Sequence, residues 1–190
     1  MNTDKYGNKK WYNEEGKLHR DNDLPAVEWA NGIKEWYQND KLHRDNDLPA
    51  IDWPGVYKKW YQNGKLHRND DEPAIVWVTG TKEWFQNGKL HREVGAASES
   101  NDGTKVWFQN DKIHNLNGPA RIWPSGIKAW FIEDIQYKEE EFKKVIKRRN
   151  ELARWVYQRW YSDFMRNPDT ERGQKYIMKD YDRMMKELKN

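Results

Sequence analysis

The chain has 190 residues, 34% of them charged, with 12 Trp, 10 Tyr and no Cys, and its mean hydropathy is −1.28. The missing cysteine excludes disulfides and thiolate metal sites, and few aliphatics beside many aromatics imply a thin core of large flat side chains. The net charge of +3 hides a split: residues 1–137 hold 19 Lys+Arg against 21 Asp+Glu (−2), and residues 138–190 hold 15 against 10 (+5). That modest positive balance is far from the dense basic surface of a dedicated nucleic-acid binder.

From the start of the chain a unit of about 24 residues repeats. Its Lys-x-Trp-Tyr/Phe core falls at Trp11, Trp36, Trp60, Trp84, Trp107 and Trp130, in steps of 25, 24, 24, 23 and 23 residues. A second tryptophan follows a Pro-Ala pair at Trp29, Trp53, Trp77 and Trp123. Such periodicity predicts a single-file repeat fold in which each unit buries its apolar face against its neighbours.

Two turn signals divide each unit. One is Asn31-Gly32, answered by Pro54-Gly55, Thr79-Gly80, Asp102-Gly103 and Ser125-Gly126. The other is Asn39-Asp40, answered by Asn63-Gly64, Asn87-Gly88 and Asn110-Asp111. These pairs tolerate positive φ and predict tight hairpins. The strands between them, taking one cycle, are 50–53, 57–62 and 65–68, three per repeat. An Asp-Asn-Asp-Leu-Pro loop then leads on, its Pro rejecting a central-strand position. The expectation is a mainly β fold with C-terminal α structure: an elongated antiparallel meander over residues 1–132, with a helical hairpin capping it over 133–190.

Within the middle strand Trp36 and Tyr37 point to opposite faces, as do Trp60/Tyr61 and Trp84/Phe85. Both faces of the sheet therefore carry aromatic rungs, one set core and the other wanting cover. The fourth unit departs from the pattern: Val94-Gly95-Ala96-Ala97-Ser98 replaces Pro-Ala-x-x-Trp, which reads as a looser link.

After Ile132 the period becomes helical. Phe142, Val145, Ile146, Arg149, Ala153, Val156 and Trp160 share one face of a helix over about 137–165. Asn167-Pro168-Asp169 predicts a second helix start, with Ile177, Tyr181, Met184, Met185 and Leu188 on its apolar face. The Arg148/Arg149/Arg154/Arg159 group beside Trp155 and Trp160 is a candidate patch for an acidic partner.

Candidate chemistry is sparse. One histidine recurs per unit (His19, His43, His67, His91, His114), but metal and catalytic sites need unlike residues converging on one point. The Asp-Asn-Asp loops lack the further oxygen ligands and the bidentate Glu of a calcium loop. Neither a phosphate-cradling glycine loop nor a nucleophile elbow occurs. No enzyme and no cofactor are expected. Trp and Tyr beside Lys and Arg could stack bases or sugars, although a core role suits them better.

The unit Leu-His-Arg-x-x-Asp-Leu-Pro-Ala-x-x-Trp-x-x-Gly-x-Lys-x-Trp-Tyr-Gln-Asn-Gly-Lys, over about residues 7–132, resembles a tryptophan-rich repeat family of giant DNA viruses and some phages. It is similar to MORN-like repeats, particularly those of bacterial antitoxin-like proteins. The segment 153–160 with Asn167-Pro168-Asp169 and Gly173-Gln174-Lys175 is similar to helical tails of large-DNA-virus proteins. The resemblance implies a viral, non-enzymatic repeat protein, expected in the host-cell cytoplasm or the virion. The absence of an apolar h-region after Met1 and of a run of about 20 apolar residues adds the expectation that it is neither secreted nor transmembrane. The function expected is a protein–protein interaction scaffold, taking a protein partner or a second copy. Its binding rungs would be Trp36, Trp60 and Trp84 with Tyr37, Tyr61 and Phe85, rimmed by Lys34, Lys58, Lys82, Arg44 and Arg68. Two alternatives are an anionic lipid or nucleic-acid module acting through the basic tail, and an antitoxin-like inhibitor of another protein.

Overall fold

The computed structural model of the protein describes residues 1–166. It divides into two compact units, Met1–Gln136 and Tyr137–Asn190.

In the first unit one open antiparallel sheet of 13 short strands runs the length of the repeats. Its strands are two to five residues long, for example Val27–Glu28, Lys34–Glu35, Ile51–Trp53, Tyr57–Lys59, Ile75–Trp77 and Lys82–Glu83. Each pairs with its neighbour in the chain, apart from the small hairpins that project between them. At about 4.8 Å between strands the sheet spans roughly 58 Å. The expected end at Ile132 is passed by one more hairpin, Lys128–Ile132 turning through Glu133 and Asp134 into Ile135–Tyr137.

Each repeat contributes four strands where the sequence suggested three, because the long middle strand breaks at its tryptophan. Tyr57–Lys59 belongs to the long sheet, whereas Tyr61–Gln62 pairs only with Lys65–Leu66. The break lies in how the Trp60 backbone is satisfied. Its N–H donates to Ala74 O at 2.8 Å and its carbonyl accepts from His67 N at 3.1 Å, so the ribbon changes partner at that residue. Trp36, Trp84 and Trp107 repeat both bonds.

Turns of the long sheet such as Asn31-Gly32 have left-handed φ at the glycine alone, whereas those of the small projecting hairpins have it at both central residues, as at Asn39 and Asp40 (49° and 64°) and Asn63 and Gly64 (51° and 80°). That is the twist-matched two-residue turn which Asn-Asp and Asn-Gly tolerate. Successive hairpins are laced together, Gly64 N donating to Leu42 O and Gly88 N to Leu66 O, both at 2.8 Å. The first hairpin has no predecessor. There Asn13 closes its own loop, its side-chain oxygen accepting from Glu15 N and Lys17 N.

The core is one layer deep. Ala26, Ala50, Ala74, Ala97 and Ala120 are wholly buried, with Val27, Ile51, Ile75, Trp36, Trp60 and Trp84 close behind. Each of these alanines follows the loop, and its carbonyl accepts from the N–H of a core tryptophan (Trp11, Trp36, Trp60, Trp84 or Trp107).

In the second unit a helix runs from Glu139 to Arg166. Glu139, Glu140 and Glu141 occupy its first turn, where acids complement the helix dipole. Glu141 Oε2 also accepts from Lys138 N at 3.3 Å, closing the N-terminus. Phe142 is buried, while Val145, Ile146, Leu152 and Val156 are half-buried along the same stripe. Leu152 takes the place expected for Ala153, which is exposed. The second helix anticipated after Asn167 lies outside the described residues.

Candidate interaction surface

The repeats are joined by a recurring cluster of three side chains. In the second unit the Arg44 guanidinium lies 3.8 Å over the Trp36 ring and forms two bonds to the carboxylate of Asp23, at 2.7 Å each. Its Nη1 donates to Pro49 O. Asp23 belongs to the preceding loop, where Asn22 and Asp23 both take left-handed φ. That twist also turns its carbonyl to accept from Trp36 Nε1 at 3.0 Å. Asp47 holds Trp60 and Arg68 in the same way, and Asp71 holds Trp84 and Arg92. The arginine contact is the main reason that all three aspartates sit below the usual carboxylate range.

Histidine is the second pin. His43 Nδ1 accepts from Asn63 N of the next hairpin at 3.1 Å, and its Nε2 faces Asp45 Oδ1 at 3.0 Å. With Nδ1 accepting, the ring carries its hydrogen on Nε2. His19 and His67 repeat the pattern with Asp21 and Asn69. Among the described residues no group of three or more His, Asp or Glu is placed to hold a metal ion.

Trp36, Trp60 and Trp84 are thereby closed off. They are 8%, 9% and 6% exposed, their indole N–H groups are bonded, and a guanidinium covers each ring. They are interior residues and offer no surface to a partner. Tyr37, Tyr61 and Phe85, on the opposite face, are half-buried and remain reachable. The Tyr37 hydroxyl donates to Glu35 Oε2 at 3.1 Å. Burial, with the Glu35 charge adding to it, drives the Tyr37 phenol well above its ordinary range; Tyr61 is raised chiefly by burial as well.

The same face carries the second tryptophan series. Cross-strand registry places Trp53 against Tyr57 and Tyr57 against Trp77. The rings meet edge to face at 5.3 and 5.0 Å, and Trp29 and Ile33 continue the line. All five are half-buried, so their free surfaces form one apolar stripe. One step in from it lies a row of charges. Lys10 sits 5.3 Å from the Trp29 ring and Lys59 sits 4.3 Å from Tyr57. Glu35 and Glu83 stand two strands either side of Lys59. Burial raises the Glu83 carboxyl above its usual range, opposed only in part by Lys59.

On the other side of the sheet Lys34, Lys58, Lys82, Lys105 and Lys128 are exposed at one per repeat. Cross-strand partners such as Asp52 (for Lys34 and Lys58) and Glu99 (for Lys82 and Lys105) interleave with them. Positive charge is thus nowhere continuous across those strands. Nor do the helix arginines make one patch. At about 100° per residue, Arg149 falls in the half-buried apolar stripe and Arg148 and Arg159 on one flank of it, while Arg154 points away. Arg159 lies 5.2 Å from the Trp155 ring. No helix among the described residues is long and apolar enough to cross a membrane.

Trp53, Tyr57, Trp77 and Lys59 were absent from the residues picked out by sequence. The signal was available in Ile-x-Trp, since period-two alternation puts Ile51 and Trp53 on one face and the buried Ile51 orients the pair. The chain matches no family model, and neither the curated proteins nor the solved structures include a match to it.

Proposed function

We propose that the repeat array is a non-enzymatic protein–protein interaction scaffold that binds through the stripe Trp29–Ile33–Trp53–Tyr57–Trp77, with Tyr37, Tyr61 and Phe85 beside it. The observation carrying this reading is the contrast between the two tryptophan series. In the first, Trp36, Trp60 and Trp84 are covered by arginine and bonded through their indole N–H groups, while in the second Trp29, Trp53 and Trp77 keep part of each ring open along a continuous line. Large aromatics that lose water on docking dominate binding energy at protein interfaces. The interleaved lysines and acids on the reverse side favour a protein over a polyanion, which needs continuous positive charge.

The test uses protein recovered with the tagged full-length chain from its native source. Trp53→Ser and Trp77→Ser should keep the far-ultraviolet circular dichroism of the wild type and lose that protein. Arg154→Glu on the helix should retain it. Retention by both stripe variants would overturn this reading.

A further inference from the structure

Resting on the stripe as a binding face, we infer that its occupant is a second copy of this chain, packed stripe to stripe about a two-fold axis along strand Ile51–Trp53. The argument is one of charge order. On this face, counting across the sheet, Lys10, Glu35, Lys59 and Glu83 stand on every second strand, and their signs run plus, minus, plus, minus. A two-fold axis along strand Ile51–Trp53, passing over the half-exposed Trp53 ring, reverses that order. It sets Glu35 opposite Lys59 of the second copy, and Lys10 opposite Glu83, each twice. An axis moved two strands either way sets one such pair in opposition and leaves the rest of the row unmatched.

The apolar line obeys the same operation. Trp53 faces its own copy, Trp29 faces Trp77, and Ile33 faces Tyr57, so every ring meets an apolar group. Isologous two-fold contacts are the commonest in soluble oligomers and require this kind of self-complementarity. The Glu35–Lys59 pairs lie one strand from the axis.

Within one chain these charges are only partly served. Glu35 accepts from the Tyr37 hydroxyl, and Lys59 offsets only part of the burial of the Glu83 carboxyl. The Lys59 ammonium rests on Tyr57 and Trp77. A second copy adds an opposite charge at each half-buried position.

Sedimentation of the full-length protein over a concentration series tests this. The wild type should be a reversible dimer. Lys59→Glu should raise its dissociation constant by roughly 10-fold or more, as should Glu35→Lys. The double variant Glu35→Lys/Lys59→Glu should return it close to the wild type, because the two signs are exchanged together. Lys58→Glu makes the same charge change one residue away on the opposite face, and should leave the dimer intact. A monomeric wild type, a double variant no tighter than the singles, or an equal loss with Lys58→Glu would each overturn the inference. A monomer that still loses its copurified protein on Trp53→Ser would sink the dimer alone and leave the scaffold reading standing.

Discussion

Arg68 reaches across a repeat joint to Asp47, 21 residues earlier, with Nε and Nη2 at 2.8 and 2.6 Å from the two carboxylate oxygens, while its guanidinium lies 4.0 Å from the Trp60 ring. A forked cation suits this place, since Lys can neither grip both oxygens nor lie flat on indole. Arg68→Ala should cost about 1–3 kcal/mol, allowing for a carboxylate that is half exposed to water. Arg68→Lys should recover less than half of that. Urea denaturation of the three proteins measures the difference. Arg20 keeps the ring contact with Trp11 and the bond to Pro25 O but has, among the described residues, an ion pair to Glu28 at 3.2 Å in place of the forked aspartate, so Arg20→Ala should cost less.

The same joints make the array sensitive to acid. Asp23, Asp47 and Asp71 are held below their ordinary range in the folded state, first by hydrogen bonding to arginine. A carboxyl with a lowered folded pKa stabilises above its unfolded value, and that contribution drains away as pH falls through the folded one. Stability should therefore fall on acidification from the normal aspartate range downward. Replacing all three with Asn should lower stability at neutral pH and flatten that slope. Denaturation midpoints along a pH series report both effects, and an unchanged slope would count against the joints as its source.

Comparing the hairpin turns yields a stabilising substitution. Where the second turn residue is aspartate, its Oδ1 accepts from the preceding hairpin: Leu18 N to Asp40 at 2.7 Å, Leu90 N to Asp111 and Ile113 N to Asp134 at 2.8 Å. Gly64 occupies the same place against Leu42 and has no side chain to offer. Its φ of 80° lies near the 64° and 70° of Asp40 and Asp111, and an added Cβ would meet only Lys41 at 3.8 Å. Gly64→Asp should stabilise by roughly 0.5–1.5 kcal/mol, readable as a raised melting temperature. A lower one would show that the left-handed turn resists the side chain.

The histidine pins should not be equivalent. His67 makes contacts on both ring nitrogens, to Asn87 N at 3.2 Å and Asn69 Oδ1 at 2.9 Å. His91 keeps the first type of bond, to Asn110 N at 3.3 Å, but its Nε2 is buried without a hydrogen-bond partner. Truncating His67 to Ala strands two groups and His91→Ala only one, so the former should cost about 1 kcal/mol more. Paired denaturation curves decide it.

Much of this architecture is visible in the residues themselves, because turn chemistry is local. Asn-Gly and Asn-Asp state their positive φ outright, and the change of period after Ile132 marks the helix that begins at Glu139. The break at each core tryptophan is less visible, since alternation carries straight through Lys-x-Trp-Tyr. Only the long-range bond from Trp60 N to Ala74 O divides that strand. The burial of Trp60 is hidden from the sequence for a related reason. Trp60 and Trp53 are the same residue type in similar polar surroundings, and the arginine that closes one ring lies eight positions away. Accordingly Trp60→Ala should unfold the array, at about 3–5 kcal/mol, where the partial exposure of Trp53 makes its truncation milder.

The fourth loop loses its aspartate, and the arginine position of the unit after it is filled by Asn115, whose Nδ2 reaches Pro119 O at 2.9 Å. Neither charge is left stranded, but the clasp is gone and Trp107 is less covered than its counterparts. A Cβ at Gly95 would lie 3.0 Å from Arg92 Nη1, and the φ of 112° there is one that side chains rarely adopt, so restoring an acid at that position would strain the loop. A ribbon drawn from its ends should thus tear first between the fourth and fifth modules, and four modules should melt as one block while the remainder loosens earlier.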